Sequence, residues 1–127
     1  MHYFFCNAYL QLYYALDLEI IIKKRVIIIT RNSAIYQFCK YLNKEVIWYV
    51  PLTKYATFRV HKELHYLYKI KNEVKEFIEK INFKKGDIAI YPTKYFPVHE
   101  AARECYLLIK LSKISDVYIS DISRIKL

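Results

Sequence analysis

The sequence predicts an α/β fold: one open, doubly wound, mainly parallel five-stranded sheet of Rossmann-like type, with strand order 3-2-1-4-5. Three observations lead there. Five short runs of β-branched and aromatic residues recur along the chain. Segments of helical periodicity separate them, and unbroken apolar runs suit strands covered on both faces. At 127 residues the chain has the size of one domain, so residues 1–127 read as a single unit.

The elements follow in order. His2–Cys6 is the first apolar run, and Asn7 is placed to cap a helix through Leu10, Tyr14 and Leu18 toward Ile21. Arg25–Thr30, with Val26, Ile27, Ile28 and Ile29 unbroken, is the second strand. Asn32 or Ser33 then caps a short helix carrying Ala34, Ile35, Phe38 and Leu42. Glu45–Val50 is the third strand. From Val60, apolar residues at Leu64, Leu67, Val74, Phe77, Ile78 and Ile81 keep to one face at 3.6 residues per turn. Asp87–Tyr91 follows the turn at Gly86. A last helix starts near Pro97, whose fixed φ suits a first helical position, and buries Val98, Ala101, Ala102, Cys105, Leu108 and Ile109. Asp116–Ser120 closes the sheet. Parallel neighbours require crossover connections, which these helices supply.

Composition excludes several functions. Gly86 is the only glycine, which removes phosphate sites built on glycine-rich loops. Cys6, Cys39 and Cys105 are odd in number and far apart, so neither a disulfide framework nor a zinc knuckle is expected. His61 and His65 lie four apart, but Lys62 stands where a zinc-protease helix carries Glu, and no third ligand is evident. No metal and no cofactor are expected. No apolar run approaches the ~18–20 residues of a membrane span, and Met1–Cys6 lacks the pattern of a signal peptide. A soluble cytoplasmic domain is the expectation. The formal charge of +9 attracts anions, including acidic lipid surfaces, which leaves peripheral membrane contact open. The lysines are scattered, however, with no block of five like charges, and this reads against nucleic acid.

In an open α/β sheet, ligands sit beyond the strand carboxyl ends where the order reverses. That places a crevice between the first and fourth strands, with Cys6 and Asn7 on one side and Pro92, Thr93 and Lys94 on the other. Asn32 and Ser33 follow the second strand, Thr53 and Lys54 the third, and Asp121 the fifth. His99 and Glu100 lie in the first turn of the last helix. Substrate-binding candidates are therefore Asn7, Asn32, Ser33, Thr93, Lys94 and His99. Each has a plainer alternative: Asn7, Asn32 and Ser33 as caps, His99 as a solvated side chain. Cys6 has no adjacent His or arginine-rich loop to activate it and reads as a small buried thiol.

The stretch Phe4-Phe5-Cys6-Asn7-Ala8-Tyr9-Leu10-Gln11-Leu12 through Ala15-Leu16 resembles the first strand and helix of bacterial sialyltransferase- and polysialyltransferase-like glycosyltransferases. The tail, Lys110-Leu111-Ser112-Lys113-Ile114 followed by Asp116-Val117-Tyr118-Ile119-Ser120-Asp121, is similar to the approach to that family's acid-acid-Gly motif. The resemblance implies the N-terminal, acceptor-side half of a GT-B glycosyltransferase of bacterial polysaccharide or lipooligosaccharide biosynthesis. It further implies a glycan acceptor, a CMP-sugar donor held by a second domain, and transfer without a metal. Asp121 takes the first acid of the motif. The second acid, the family's general base, falls on Ile122, and the Gly on Ser123. The His-Pro motif of the second domain has no counterpart, since Val98-His99-Glu100 lacks the pattern. An isoleucine cannot accept a proton, so this chain alone is expected to be catalytically incomplete. The alternatives from composition are a small basic module for nucleic acid or an anionic surface, and a subunit that pairs with itself or a separate partner chain.

Overall fold

The computed structural model describes residues 1–49, 60–92 and 101–119, with side chains from 68 and from 103 in the last two segments. The elements are β1 (His2–Phe5), α1 (Tyr9–Ile22), β2 (Val26–Thr30), α2 (Ser33–Tyr41), β3 (Val46–Trp48), α3 (Val60–Ile81), β4 (Ile88–Tyr91), α4 (Ala101–Ser112) and β5 (Asp116–Ile119). The five strands form one sheet in the order β3-β2-β1-β4-β5, and every neighbouring pair is parallel. β1 lies at the centre, with His2 opposite both Val26 of β2 and Ile88 of β4. The chain builds leftward through β2 and β3, then restarts on the other side of β1. The point of reversal is therefore the β1–β4 seam.

Strand alternation divides the interior into two cores. Tyr3, Phe5, Ile27, Ile29, Ala89 and Tyr91 point to the face covered by Ile70, Val74, Phe77 and Ile81 of α3 and Leu107, Leu108 and Leu111 of α4. Phe4, Cys6, Val26 and Ile28 point the other way, against Leu12 and Ala15 of α1 and Ile35 and Cys39 of α2. All five residues of β2 are buried, as expected of a strand covered on both sides.

The apolar residues that mark these helices in the sequence are not all the ones they bury. In α1 the buried residues are Leu12 and Ala15, whereas Leu10 and Ile21 are exposed. The helix is apolar all round, so its sequence does not distinguish the inward side. In α2 the core residues are Ile35 and Cys39, while Ala34, Phe38 and Leu42 are exposed. In α4, Cys105 and Ile109 are exposed and Arg103, Glu104, Leu107, Leu108 and Leu111 are buried. Val50, the start of the last helix near Pro97, and Ser120 lie outside the described residues, as do the side chains of Val60, Leu64, Leu67, Val98, Ala101 and Ala102.

A chain with one glycine needs other residues where helices end. Lys23, Asn43 and Asn82 all take φ near +54°, in the left-handed region, just after α1, α2 and α3. Asparagine tolerates that region better than most side chains. Gly86, at φ +97°, forms the turn into β4. That turn is tied by Asp87, which is buried and accepts from the Lys84 amide (3.0 Å) and the Met1 ammonium (3.2 Å). No described helix is long and apolar enough to cross a membrane.

Candidate functional site

The sheet's carboxyl edge is assembled from the segments that leave β1, β2, β3 and β4. Asn7 lies just after β1 but does not cap α1, whose N-cap is Ala8 with no side-chain hydrogen bond. Its amide side chain turns instead to the next loop, where Oδ1 accepts from the Arg31 amide (2.9 Å) and from the Thr30 hydroxyl (3.4 Å). The Asn7 carbonyl accepts from Nδ2 of Asn32 (3.3 Å), and its N–H donates to Oε1 of Gln11 (2.7 Å). Asn7 is thus a latch between the loops after β1 and β2. Asn32 caps α2 through Oδ1, which accepts from the amides of Ala34 (2.9 Å) and Ile35 (3.3 Å). Ser33 is the first residue of α2 and is exposed. Cys6 is fully buried, its thiol directed at the Phe4 carbonyl (3.7 Å), and burial pushes that thiol well above its usual pKa. It is a core residue.

The unexpected feature is a buried ionic network beneath this edge. Arg31, the first residue after β2, donates from Nη1 to Oε1 of Glu104 at 3.2 Å. Arg103 reaches the same oxygen from Nη2 at 3.7 Å and donates from Nη1 to Oε2 of Glu73 on α3 at 3.4 Å. Arg103 and Glu104 are each about 1% exposed. The Arg103 guanidinium stands 4.3 Å from the ring centre of Tyr49, a cation–π distance. Tyr49 is fixed by its amide, which continues the ladder to the Thr30 carbonyl at 2.8 Å. Tyr91, at the end of β4, is hydrogen-bonded to Glu104. Burial, reinforced by the negative charge of Glu104, drives both phenols far above their ordinary pKa, so both stay neutral donors. Two guanidiniums and two carboxylates balance in charge, contributed by the segment after β2, by α3 and by α4.

The network opens to solvent beside β3. A cleft of about 250 Å³ is lined by Trp48, Tyr49 and Phe77, with Glu73, Glu76, Lys80 and Arg103 around them. Aromatic walls with carboxylates and cations at the margin suit a ligand having apolar faces and polar edges. The Tyr49 hydroxyl is buried without a hydrogen-bond partner among the described residues.

Of the residues expected from sequence, the structure brings Asn7, Asn32 and Ser33 together at this edge. Thr53, Lys54, Thr93, Lys94, His99, Glu100, Asp121, Ile122 and Ser123 lie outside the described residues, as do the side chains of His61 and His65. No cluster of three potential metal ligands occurs among the described residues. Sequence reasoning missed Arg31, Tyr49, Glu73, Tyr91, Arg103 and Glu104. A usable signal existed for two of them: Arg103 and Glu104 are in phase with Leu107, Leu108 and Leu111, steps of four and eight that place charge on an inward face. No protein-family model, no curated protein and no solved structure matches the chain.

Proposed function

We propose that this protein is a ligand-binding domain of the acceptor side of a sialyltransferase-type glycosyltransferase, holding an anionic, polyhydroxylated glycan at the carboxyl edge of its sheet. One observation carries the reading: the Arg31–Glu104–Arg103–Glu73 network converges on the edge where doubly wound sheets take their ligands. Burying such charges is costly, and an apolar cluster of the same volume stabilises a fold at least as well. Charges placed there fit the work of orienting a ligand better than that of holding the fold. The resemblance over Phe4–Leu16 and Lys110–Asp121 supplies the sugar class. In this reading Arg31, 15% exposed in its side chain, faces a ligand carboxylate, and Glu73 accepts from hydroxyls at the cleft. Chemistry is not assigned to the chain alone, because Ile122 stands at the position of the general base.

Titration calorimetry with a sialylated oligosaccharide, its desialylated counterpart, CMP and CMP-sialic acid tests the proposal. Binding of the sialylated glycan, weakened by loss of its sialic acid and by Arg31→Ala, is expected. Equal affinity for the two glycans, or no binding of any of the four, contradicts it. Salt-dependent binding of RNA or DNA instead would favour the basic-module alternative.

A further inference from the structure

We infer that the groove between α3 and α4, on the outer surface of the sheet's second layer, is a docking site for an acidic amphipathic helix of a partner protein. The groove encloses about 430 Å³. Its floor is apolar, formed by Val74 and Ile78 of α3 with Tyr106 of α4 and Ile114 just beyond it. Its margins carry Lys71, Lys75, Lys110 and Lys113 against a single acid, Glu79. Among the described residues none of these four lysines makes an ion pair, although Lys110 lies 5.4 Å from the ring centre of Tyr106. Other cations are paired, Arg25 with Glu45, Lys44 with Glu19, and both arginines of the buried network with carboxylates. Four cations without an ion pair among the described residues thus stand around one apolar slot.

Charge complementarity and shape select the occupant. A negative partner satisfies the lysines, and an apolar stripe is needed to cover Val74, Ile78, Tyr106 and Ile114. Nucleic acid supplies the first and not the second. A membrane surface supplies both, but insertion into lipid requires apolar side chains that protrude, whereas Val74 is buried and Ile78 and Tyr106 are half-buried in a concavity. An amphipathic helix with acidic flanks supplies both and fits a groove between two helices, with side chains three and four apart entering it. From Lys71 to Ile78 the groove follows α3 for about 10 Å, so two helical turns of the partner are engaged. This surface is separate from the carboxyl-edge network and does not rest on the glycan reading.

A synthetic peptide of about four helical turns, with leucines on one face and glutamates on the other, is the probe. Fluorescence anisotropy is expected to show saturable binding to the full chain. Raising NaCl from about 0.05 M to about 0.3 M is expected to weaken it by on the order of tenfold. The double change Lys75→Glu with Lys110→Glu, confined to the groove margin, is expected to weaken it at least as much, and Ile78→Asp to do so at constant charge on the lysines. Retained affinity in the double variant overturns the proposal. So does equal binding of a scrambled peptide of the same composition, which would show charge attraction alone. Failure of the peptide to bind, or binding of vesicles of anionic lipid or of RNA in its place, also overturns it.

Discussion

Glu104 is the residue on which the carboxyl edge depends. Its carboxylate, itself about 1% exposed, receives Arg31 and Arg103 and is hydrogen-bonded to Tyr91. Replacing it by glutamine preserves volume but removes the negative charge that both guanidiniums share. Breaking one partner of a buried pair costs about 3–5 kcal/mol, so Glu104→Gln is expected to lower the unfolding free energy by an amount in that range, as read by urea denaturation. Its helical phase with Leu108 was legible in the sequence, but a charged residue on a helix is by default assigned to solvent, and its partners come from distant segments. Asn7 was legible as a special residue and wrong as a cap: its side chain has a stronger claim from the Arg31 amide, a neighbour that only the parallel pairing of β1 with β2 brings close. At the opposite edge of the sheet, Glu19 accepts from the Val26 amide at 2.8 Å and pairs with Lys44. Burial pushes its carboxyl up, but the hydrogen bonds from Lys44 and Val26, helped by the charges of Lys44 and Arg25, outweigh burial and hold it below its ordinary value. A carboxyl depressed in the folded state contributes stability that is complete above its unfolded pKa and is lost as pH falls through its folded pKa. Thermal unfolding between about pH 6 and pH 2 is therefore expected to show a shallower acid decline in Glu19→Gln than in the parent.

At the scale of elements, composition dictates how helices end. Lys23 occupies a left-handed conformation that glycine adopts without strain, and it follows α1 directly. Lys23→Gly is expected to raise stability by about 0.5–1 kcal/mol, measured by chemical denaturation, since the side chain is exposed and the gain is conformational. The strands were the most legible elements. Val26–Thr30 and Ile88–Tyr91 stand within a residue of their expected limits, because a run of β-branched residues buried on both faces has few alternatives. Helix existence was equally legible, and α3 begins and ends at the expected Val60 and Ile81. Helix rotation was not. α1 has apolar side chains on every side, with Leu10, Tyr13, Ile20 and Ile21 exposed, so no stripe marks its inner face. In α4 the inward face carries two charged residues, which displaced the expected stripe toward Cys105 and Ile109.

For the whole molecule, one topological fact organises the rest: five parallel strands in the order β3-β2-β1-β4-β5 bring the ends of β1, β2, β3 and β4 to a common edge. That order followed from the alternation of strand and helix and from the preference of α/β chains for a reversal beside the first strand. What the alternation cannot convey is which side chains meet there. Arg31, Glu73, Arg103 and Glu104 are separated by up to 73 residues along the chain and come within hydrogen-bonding reach only through the fold. The two helical layers also differ in character. The α1–α2 layer exposes apolar side chains, whereas the α3–α4 layer carries the lysine-rimmed groove.

If ligand binds where the strands end, amide chemical shifts of the isotopically labelled protein, titrated with a sialylated oligosaccharide, will locate it there. Shifts gathered at Asn7, Arg31, Asn32, Ser33, Tyr49 and Tyr91 are expected. Shifts gathered instead at Lys24, Asn43, Lys44 and Gly86, on the far edge of the sheet, would contradict that placement.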